Sequence, residues 1–269
     1  MNKAQQKFRR VVWQYYRQRG RSLPWRETTD AYAILVSEVM LQQTQVDRVI
    51  PKHEAWLDRF GDWDSLSRAS LADVLTAWQG LGYNRRAQNL QRCAQAVIDQ
   101  HRGVLPKDEQ SLRALPGIGP YTAAAVQAFA HNKPVTMIET NIRTVFLHHF
   151  LTGKTEVSDD QLLPLITATV SAREPRKWYW ALMDYGAHLK QEHGNTNTRS
   201  KHYVKQSAFV GSNRQVRGRI IALLTTKQAV TRVELLEELQ VGEKRAEAAL
   251  AQLQTEGLVA TVRGRIRIA

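Results

Sequence analysis

From about residue 5 to residue 190 the apolar side chains recur at helical spacing, and no long run alternates as a half-exposed strand would. The bulk of the chain is therefore expected to be all-α. Phe8, Val11, Val12 and Tyr15 share one face of an opening helix that stops at Gly20, ahead of an extended Ser-Leu-Pro-Trp segment. A second helix is expected from about Ala31 through Gln42 and Gln43, and Pro51 is expected to open the next. Residues 71–78 and 85–100 read as two more, the latter closed by Gly103. With 269 residues the chain can form one large domain, or a domain of about 200 residues with a small appendage.

Two places interrupt the helical rhythm. Leu115-Pro-Gly-Ile-Gly-Pro-Tyr-Thr122 is a glycine-punctuated hairpin between helices. Gly117 and Gly119 permit backbone conformations that expose N–H groups, and a helix opening at Tyr121 and Thr122 adds its positive end. The segment reads as a phosphate clamp, although a plain interhelical turn would carry the same glycines. The second interruption runs from Gly186 to Arg219, where Lys190, Arg199, Lys201, Lys205, Arg214, Arg217 and Arg219 outnumber the single acid Glu192. It reads as a basic surface loop leading to a boundary near Ser212.

Charge points the same way. Lys and Arg number 38 against 25 Asp and Glu, a net +13, which favours a polyanionic partner. The one cysteine, Cys93, leaves no intramolecular disulfide and no Cys-only iron–sulfur or zinc site. No apolar run approaches the ~18 residues of a membrane span, and the start has no uninterrupted apolar core of a signal peptide. The expected setting is cytoplasmic, beside the nucleoid if the source is prokaryotic, with no membrane partner.

The last residues follow their own pattern. Residues 216–224 are amphipathic, Thr231 and Glu234 have capping-box spacing, and Gly242 precedes a third helix ending near Gly257. Leu-Val-Ala-Thr-Val and Arg-Ile-Arg-Ile-Ala then alternate around Arg263-Gly264, a hairpin signal. Three helices and a hairpin suggest a winged helix-turn-helix whose third helix could enter a major groove and whose wing carries Arg263, Arg265 and Arg267. A small helical cap or dimerisation module has the same elements.

Ser37-Glu-Val-Met-Leu-Gln-Gln-Thr-Gln-Val46, Gly80-Leu-Gly-Tyr-Asn84, the glycine hairpin and Ile138-Glu-Thr-Asn-Ile-Arg143 occur in this order, between Leu23-Pro-Trp-Arg26 and Met183-Asp-Tyr-Gly-Ala187. Together they resemble the helix-hairpin-helix DNA glycosylases, and within them the MutY-type adenine DNA glycosylases, over residues 8 to about 190. The resemblance implies an all-α, two-subdomain helix-hairpin-helix fold across 1–211. One subdomain would be a six-helix part near 30–134 and the other 1–29 with 135–211, followed by a winged-helix-like domain at 212–269. It also implies double-stranded DNA with a mispair or lesion as partner, bent over the hairpin with a nucleotide flipped into a cleft. A monomer suffices for that task.

Breaking an N-glycosidic bond develops positive charge on the sugar and negative charge on the departing base, so two carboxyl groups can divide the work. By resemblance Glu38 is the acid that protonates adenine, and Glu139 the carboxylate that stabilises the sugar cation. The family has an aspartate at the second place, and glutamate adds a methylene. Asn141 would position backbone and DNA. Tyr121 stands where endonuclease III-like relatives carry a catalytic lysine; without an amine no Schiff base forms, which implies monofunctional excision.

The resemblance further implies that Gln43 enters the gap left by the flipped nucleotide, supported by Gln42, while Tyr83 wedges beside the opposite base. Asn84 replaces the tyrosine often found next to it. Leu115, Gly117 and Gly119 of the hairpin, with Arg26, Lys190, Arg199, Lys201 and Lys205, are the remaining expected DNA contacts. Trp25, Trp56, Trp63, Trp78, Trp178 and Trp180 are expected in packing.

Two family features are missing from the sequence. The four cysteines that hold a [4Fe–4S] cluster after the Met-Asp-x-Gly-Ala segment have no counterpart, and the first ligand position falls on Lys190. No cofactor is expected beyond a monovalent cation that the hairpin could take. His188, His193 and His202 are irregularly spaced and read as loop histidines rather than a metal site. The large β-rich domain that reads 8-oxoguanine is also replaced, in order, by the winged-helix-like tail. Excision of adenine opposite 8-oxoguanine or guanine is the leading expectation. Excision of thymine or uracil opposite guanine, or DNA binding without catalysis, are the alternatives.

Overall fold

In chain order the helices of the computed structural model, which describes residues 1–206 and 208–269, are α1 (Lys3–Arg19), α2 (Ala31–Leu41), α3 (Val46–Arg59), α4 (Trp63–Arg68), α5 (Leu71–Trp78), α6 (Arg85–His101), α7 (Glu109–Ala114), α8 (Pro120–Phe129), α9 (Thr140–Phe150), α10 (Asp159–Thr169), α11 (Pro175–His193), α12 (Asn213–Lys227), α13 (Arg232–Leu239) and α14 (Glu243–Thr255). Three strands, β1 (Ala229–Val230), β2 (Val259–Val262) and β3 (Arg265–Ile268), lie near the C-terminus. Among the described residues no helix is long and apolar enough to cross a membrane.

Local chemistry sets most boundaries. Asn2 and Gln5 form a reciprocal capping box at the start of α1, and the Asp30 carboxylate accepts from the Ala33 N–H at 2.9 Å at the start of α2. Pro120 and Pro175 occupy first-turn positions of α8 and α11, where a missing N–H costs nothing. Three expectations shift. α2 ends at Leu41, so Gln42 and Gln43 lie in the turn beyond it. α3 starts at Val46 and carries Pro51 inside it rather than at its first position. Gly186 to His193 continue α11 instead of opening a loop, so Lys190 is an exposed helical residue.

The chain divides into two compact units. One comprises Met1–Leu35, Lys107–Ala114 and Ile118–Lys205; the other comprises Val36–Pro106, Leu115–Gly117 and Gln206–Ala269. In the first, Phe8 of α1 meets Phe146 and Phe150 of α9 at ring-centroid distances of 5.1 and 4.9 Å, and Trp178 of α11 edge-on at 6.0 Å. In the second, Trp56 of α3 and Trp78 of α5 pack T-shaped at 5.4 Å. All six tryptophans expected in packing are buried.

The C-terminal elements belong to the second unit. Gln79 donates to Thr225 Oγ1 of α12 at 2.5 Å, and Gln88 of α6 donates to the Gly257 carbonyl at 2.8 Å. The sheet is antiparallel with order β1-β3-β2. Arg263 (φ 50°) and Gly264 (φ 75°) make the tight turn between β2 and β3, and β3 alternates Ile266 and Ile268 inward with Arg265 and Arg267 outward. β1 has only two residues, too few to show a period. The Thr231–Glu234 capping box is present. The expected groove-reading helix α14 opens Glu243-Lys244-Arg245-Ala246-Glu247, and both of these acids pair with Arg232.

Candidate active site and nucleic-acid interface

In the second unit the segment from Ser37 to Val46 is organised by a residue that the sequence reading passed over. Arg86, in the first turn of α6, donates through Nη1 to the carbonyls of Val39, Met40 and Gln42 at 2.6, 3.0 and 2.8 Å. Its Nη2 donates to the carbonyls of Leu81 and Gly82, both at 3.0 Å, and to Thr44 Oγ1 at 3.3 Å. The carbonyls left over at the end of α2 are thus satisfied by one guanidinium that also holds the turn before α6. Its carbon lies 5.2 Å from the Trp78 ring centroid and 5.6 Å from that of Tyr83. Burial lowers its pKa to about 10, against the opposing effect of Tyr83. The available signal was a cation at a helix start, where the helix dipole disfavours one.

Glu38 lies on the part of α2 that Arg86 anchors. It is 5% exposed, between fully buried Ser37 and the buried Val39 and Met40. Such a carboxyl is largely withheld from bulk water. Beyond it, Gln43 (φ 55°) and Tyr83 (φ 50°) both adopt left-handed backbone, which costs a non-glycine residue energy and marks positions held by their surroundings. Both side chains are exposed. Gln206 Nε2 donates to Gln43 Oε1 at 3.0 Å and also to the Tyr83 hydroxyl. Arg214 Nη1 donates to the same hydroxyl at 2.7 Å, and its guanidinium carbon lies 5.6 Å from the Tyr83 ring centroid.

The hairpin glycines differ from one another. Gly117 has φ 78°, and a Cβ on it would lie 2.7 Å from the Asn89 Cβ, so both conformation and space require glycine. Gly119 is extended (φ −89°) and caps α8 with open space around it; the expectation of special backbone holds at Gly117 alone. Leu115 is buried at 4% exposure, which makes it a packing residue of the hairpin.

In the first unit Glu139 is the N-cap of α9. Oε2 accepts from the Asn141 N–H and Oε1 from the Ile142 N–H, both at 2.8 Å. Loss of surrounding water pushes its pKa above the usual carboxylate value, and these two bonds, with the charges of Arg143 and Lys190, pull the other way without cancelling it. Arg143 does not pair with it: its fork closes on Asp159 at 2.9 and 2.8 Å. Asn141 carries its carbonyl against α11, and Tyr121 is part-buried in the first turn of α8.

Two expected DNA contacts are otherwise engaged. Arg26 is 9% exposed and forks onto Asp184 at 2.8 and 2.9 Å, over the Trp180 ring. Burial alone would raise the Asp184 pKa, but Arg26 and Arg21 hold it below its usual value. Arg199 donates to the carbonyls of Leu147 and Leu151 at 2.9 and 3.1 Å, closing the C-terminal end of α9. The same segment is held by buried Asn197, which donates to Thr144 Oγ1 at 2.7 Å and the Thr140 carbonyl at 3.1 Å, and by a bridge between Val157 and Ser200. Lys201 and Lys205 are exposed. His188 stacks on Tyr15, His193 on His148, and His202 lies 3.9 Å from Asp159.

The helical fold thus presents a glycine hairpin, a buried helical glutamate and a helix-capping glutamate. Residues 36–163 match the model of the HhH-GPD superfamily base excision DNA repair proteins. An adenine DNA glycosylase of Mycobacterium tuberculosis is 34% identical over 94% of this chain and 91% of its own length, and one of Mycolicibacterium smegmatis is 33% identical over 95% and 94%. The human adenine DNA glycosylase is 34% identical over 67% of this chain and 35% of its own length. The chain belongs to the HhH-GPD superfamily and is a base excision DNA glycosylase. Among solved structures, a thermostable thymine-DNA glycosylase superposes with a TM-score of 0.62 over 69% of this chain and 87% of its own at 24% identity. An endonuclease III–DNA complex superposes at 0.61 over 71% and 90% at 17% identity, a likeness of fold.

Proposed function

We propose that this glycosylase hydrolyses the N-glycosidic bond of a flipped adenine mispaired with 8-oxoguanine or guanine in double-stranded DNA, and that it does so without strand cleavage and without an iron–sulfur cluster. The observation that carries the reading is Glu38: an acid 5% exposed within a helix, in a chain whose relatives over nearly its whole length are named adenine DNA glycosylases. A carboxyl shielded from water is suited to delivering its proton to a purine nitrogen as the bond to the sugar lengthens. Glu139, held by two N–H groups at the positive end of α9, supplies negative charge for the sugar cation. Water then adds to the sugar and leaves an abasic site. Tyr121 offers no amine for a lyase step.

Gln43 and Tyr83 serve as the side chains that enter the duplex where the nucleotide leaves, with Gln42 behind them, and Asn141 positions DNA. Lys190, Lys201 and Lys205 attract phosphate. An iron–sulfur cluster does not fit these residues: Cys93 is buried on α6, and the segment after α11, where the family's thiolates fall, is held by Asn197 and Arg199 instead. The tail could make a further DNA contact through Arg263 and Arg267.

The test is a labelled duplex panel with A:8-oxoG, A:G, A:C, T:G and U:G, followed by alkali to reveal abasic sites. Cleavage confined to adenine strands is expected, and Glu38→Gln should abolish it while leaving DNA binding intact. Cleavage of T:G or U:G alone would move the substrate, and full turnover by Glu38→Gln would remove Glu38 from the mechanism.

A further inference from the structure

The hydroxyl of exposed Tyr83, in the second unit, is engaged by two donors from a segment far along the chain, Gln206 and Arg214. A phenolic oxygen accepts through two lone pairs and donates one proton. When Arg214 Nη1 and Gln206 Nε2 fill both lone pairs, the proton is left directed away from them. The same Gln206 amide nitrogen also donates to Gln43 Oε1, so its two protons serve Gln43 and Tyr83 together. Arg86 and Arg214 both lie against the Tyr83 ring, and Gln43 and Tyr83 both have left-handed backbone.

We propose that Gln206 and Arg214 are specificity-determining positioning residues: they fix Tyr83 as an outward hydrogen-bond donor that selects, opposite the flipped nucleotide, a base bearing an acceptor such as the O6 or N7 of a guanine-type purine. The inference rests on the reading that Tyr83 enters the duplex beside that base. It gives the segment joining the two parts of the chain a task in recognition, and it makes the opposite base something read by a tyrosine whose polarity is set from outside the duplex.

The test reads binding, so it does not depend on which base is excised. Two duplexes are compared, each with a tetrahydrofuran abasic analogue, placed opposite guanine in one and opposite a second abasic analogue in the other. The native chain should prefer guanine. Arg214→Ala, Gln206→Ala and Tyr83→Phe should each reduce the preference about tenfold or less, the scale of one hydrogen bond, and Gln206→Glu, which accepts the tyrosine proton, should reduce it as well. Arg214→Lys keeps a cationic donor and should retain it. Gln88→Ala loosens the contact to Gly257 without touching Tyr83 and should leave the ratio unchanged. An equal affinity of the native chain for both duplexes, an unchanged ratio in Arg214→Ala, or a ratio lost in Gln88→Ala would each overturn the proposal. If the ratios behave as expected but adenine is not excised from the panel above, the substrate reading fails and this one stands.

Discussion

Gly186 and Asn141 bring α11 and α9 together so closely that a Cβ on the glycine would lie 2.2 Å from the asparagine carbonyl oxygen. No side-chain rotation relieves a clash with backbone. Gly186→Ala is therefore expected to destabilise the protein by about 3 kcal/mol or more, at the upper end of overpacking effects. Because Asn141 donates its N–H to Glu139, excision should fall further than the folded fraction does. Thermal unfolding compared with single-turnover rates checks both; a normal melting temperature would refute the close approach.

Arg86 connects five carbonyls and one hydroxyl across two segments. Arg86→Ala should cost about 2–4 kcal/mol, and Arg86→Lys should recover only a minor part, since an ammonium cannot span both sets of acceptors. Urea unfolding of the two variants distinguishes this from a simple loss of charge, which lysine would repair.

Glu139 gives a pH dependence with a definite sign. Its folded pKa lies above its unfolded value, so its contribution to stability is present below the unfolded pKa and is lost as pH rises through the folded one. The stability difference between the native chain and Glu139→Gln should therefore shift in favour of the native chain as pH falls through that interval. In the role proposed above Glu139 acts ionised, so the acid limb of excision is expected above the ordinary carboxylate range. Asp184 acts oppositely, since its lowered pKa contributes stability that is lost only as pH falls through the folded value.

Cys93 is 1% exposed, and burial pushes its thiol up to about 12. A thiol-specific disulfide reagent at pH 8 should leave the folded protein unmodified and react fully once denaturant is added. Rapid modification of the native state would contradict the packing of α6.

Much of this was legible from residue order. The helical period marked α1, α5 and α6, and the alternation around Arg263-Gly264 marked the β2–β3 hairpin. β1 was not legible, because two residues carry no period. Arg26 and Arg199 were expected as DNA contacts, yet the partner of Arg26 is Asp184, 158 positions away, and those of Arg199 are the carbonyls of Leu147 and Leu151, about 50 positions back. Arg86 escaped for the same reason, since backbone carbonyls leave no trace in residue identity. The resemblance implied a catalytic carboxylate at Glu139, and the structure shows this residue as the N-cap of α9.

The consequence of closing α9 at both poles is mechanical. Glu139 takes the N–H groups of Asn141 and Ile142 at its start, and Arg199 takes the Leu147 carbonyl in its last turn and the Leu151 carbonyl just past it. The helix acts as a strut about 16 Å long, rigidly coupling the stretch around Asn197 and Arg199 to the Glu139 carboxylate. Asn197 of that stretch donates to the Thr140 carbonyl, beside Glu139 and 57 positions back, so the accuracy with which that carboxylate is held is inherited in part from a much later stretch of the chain.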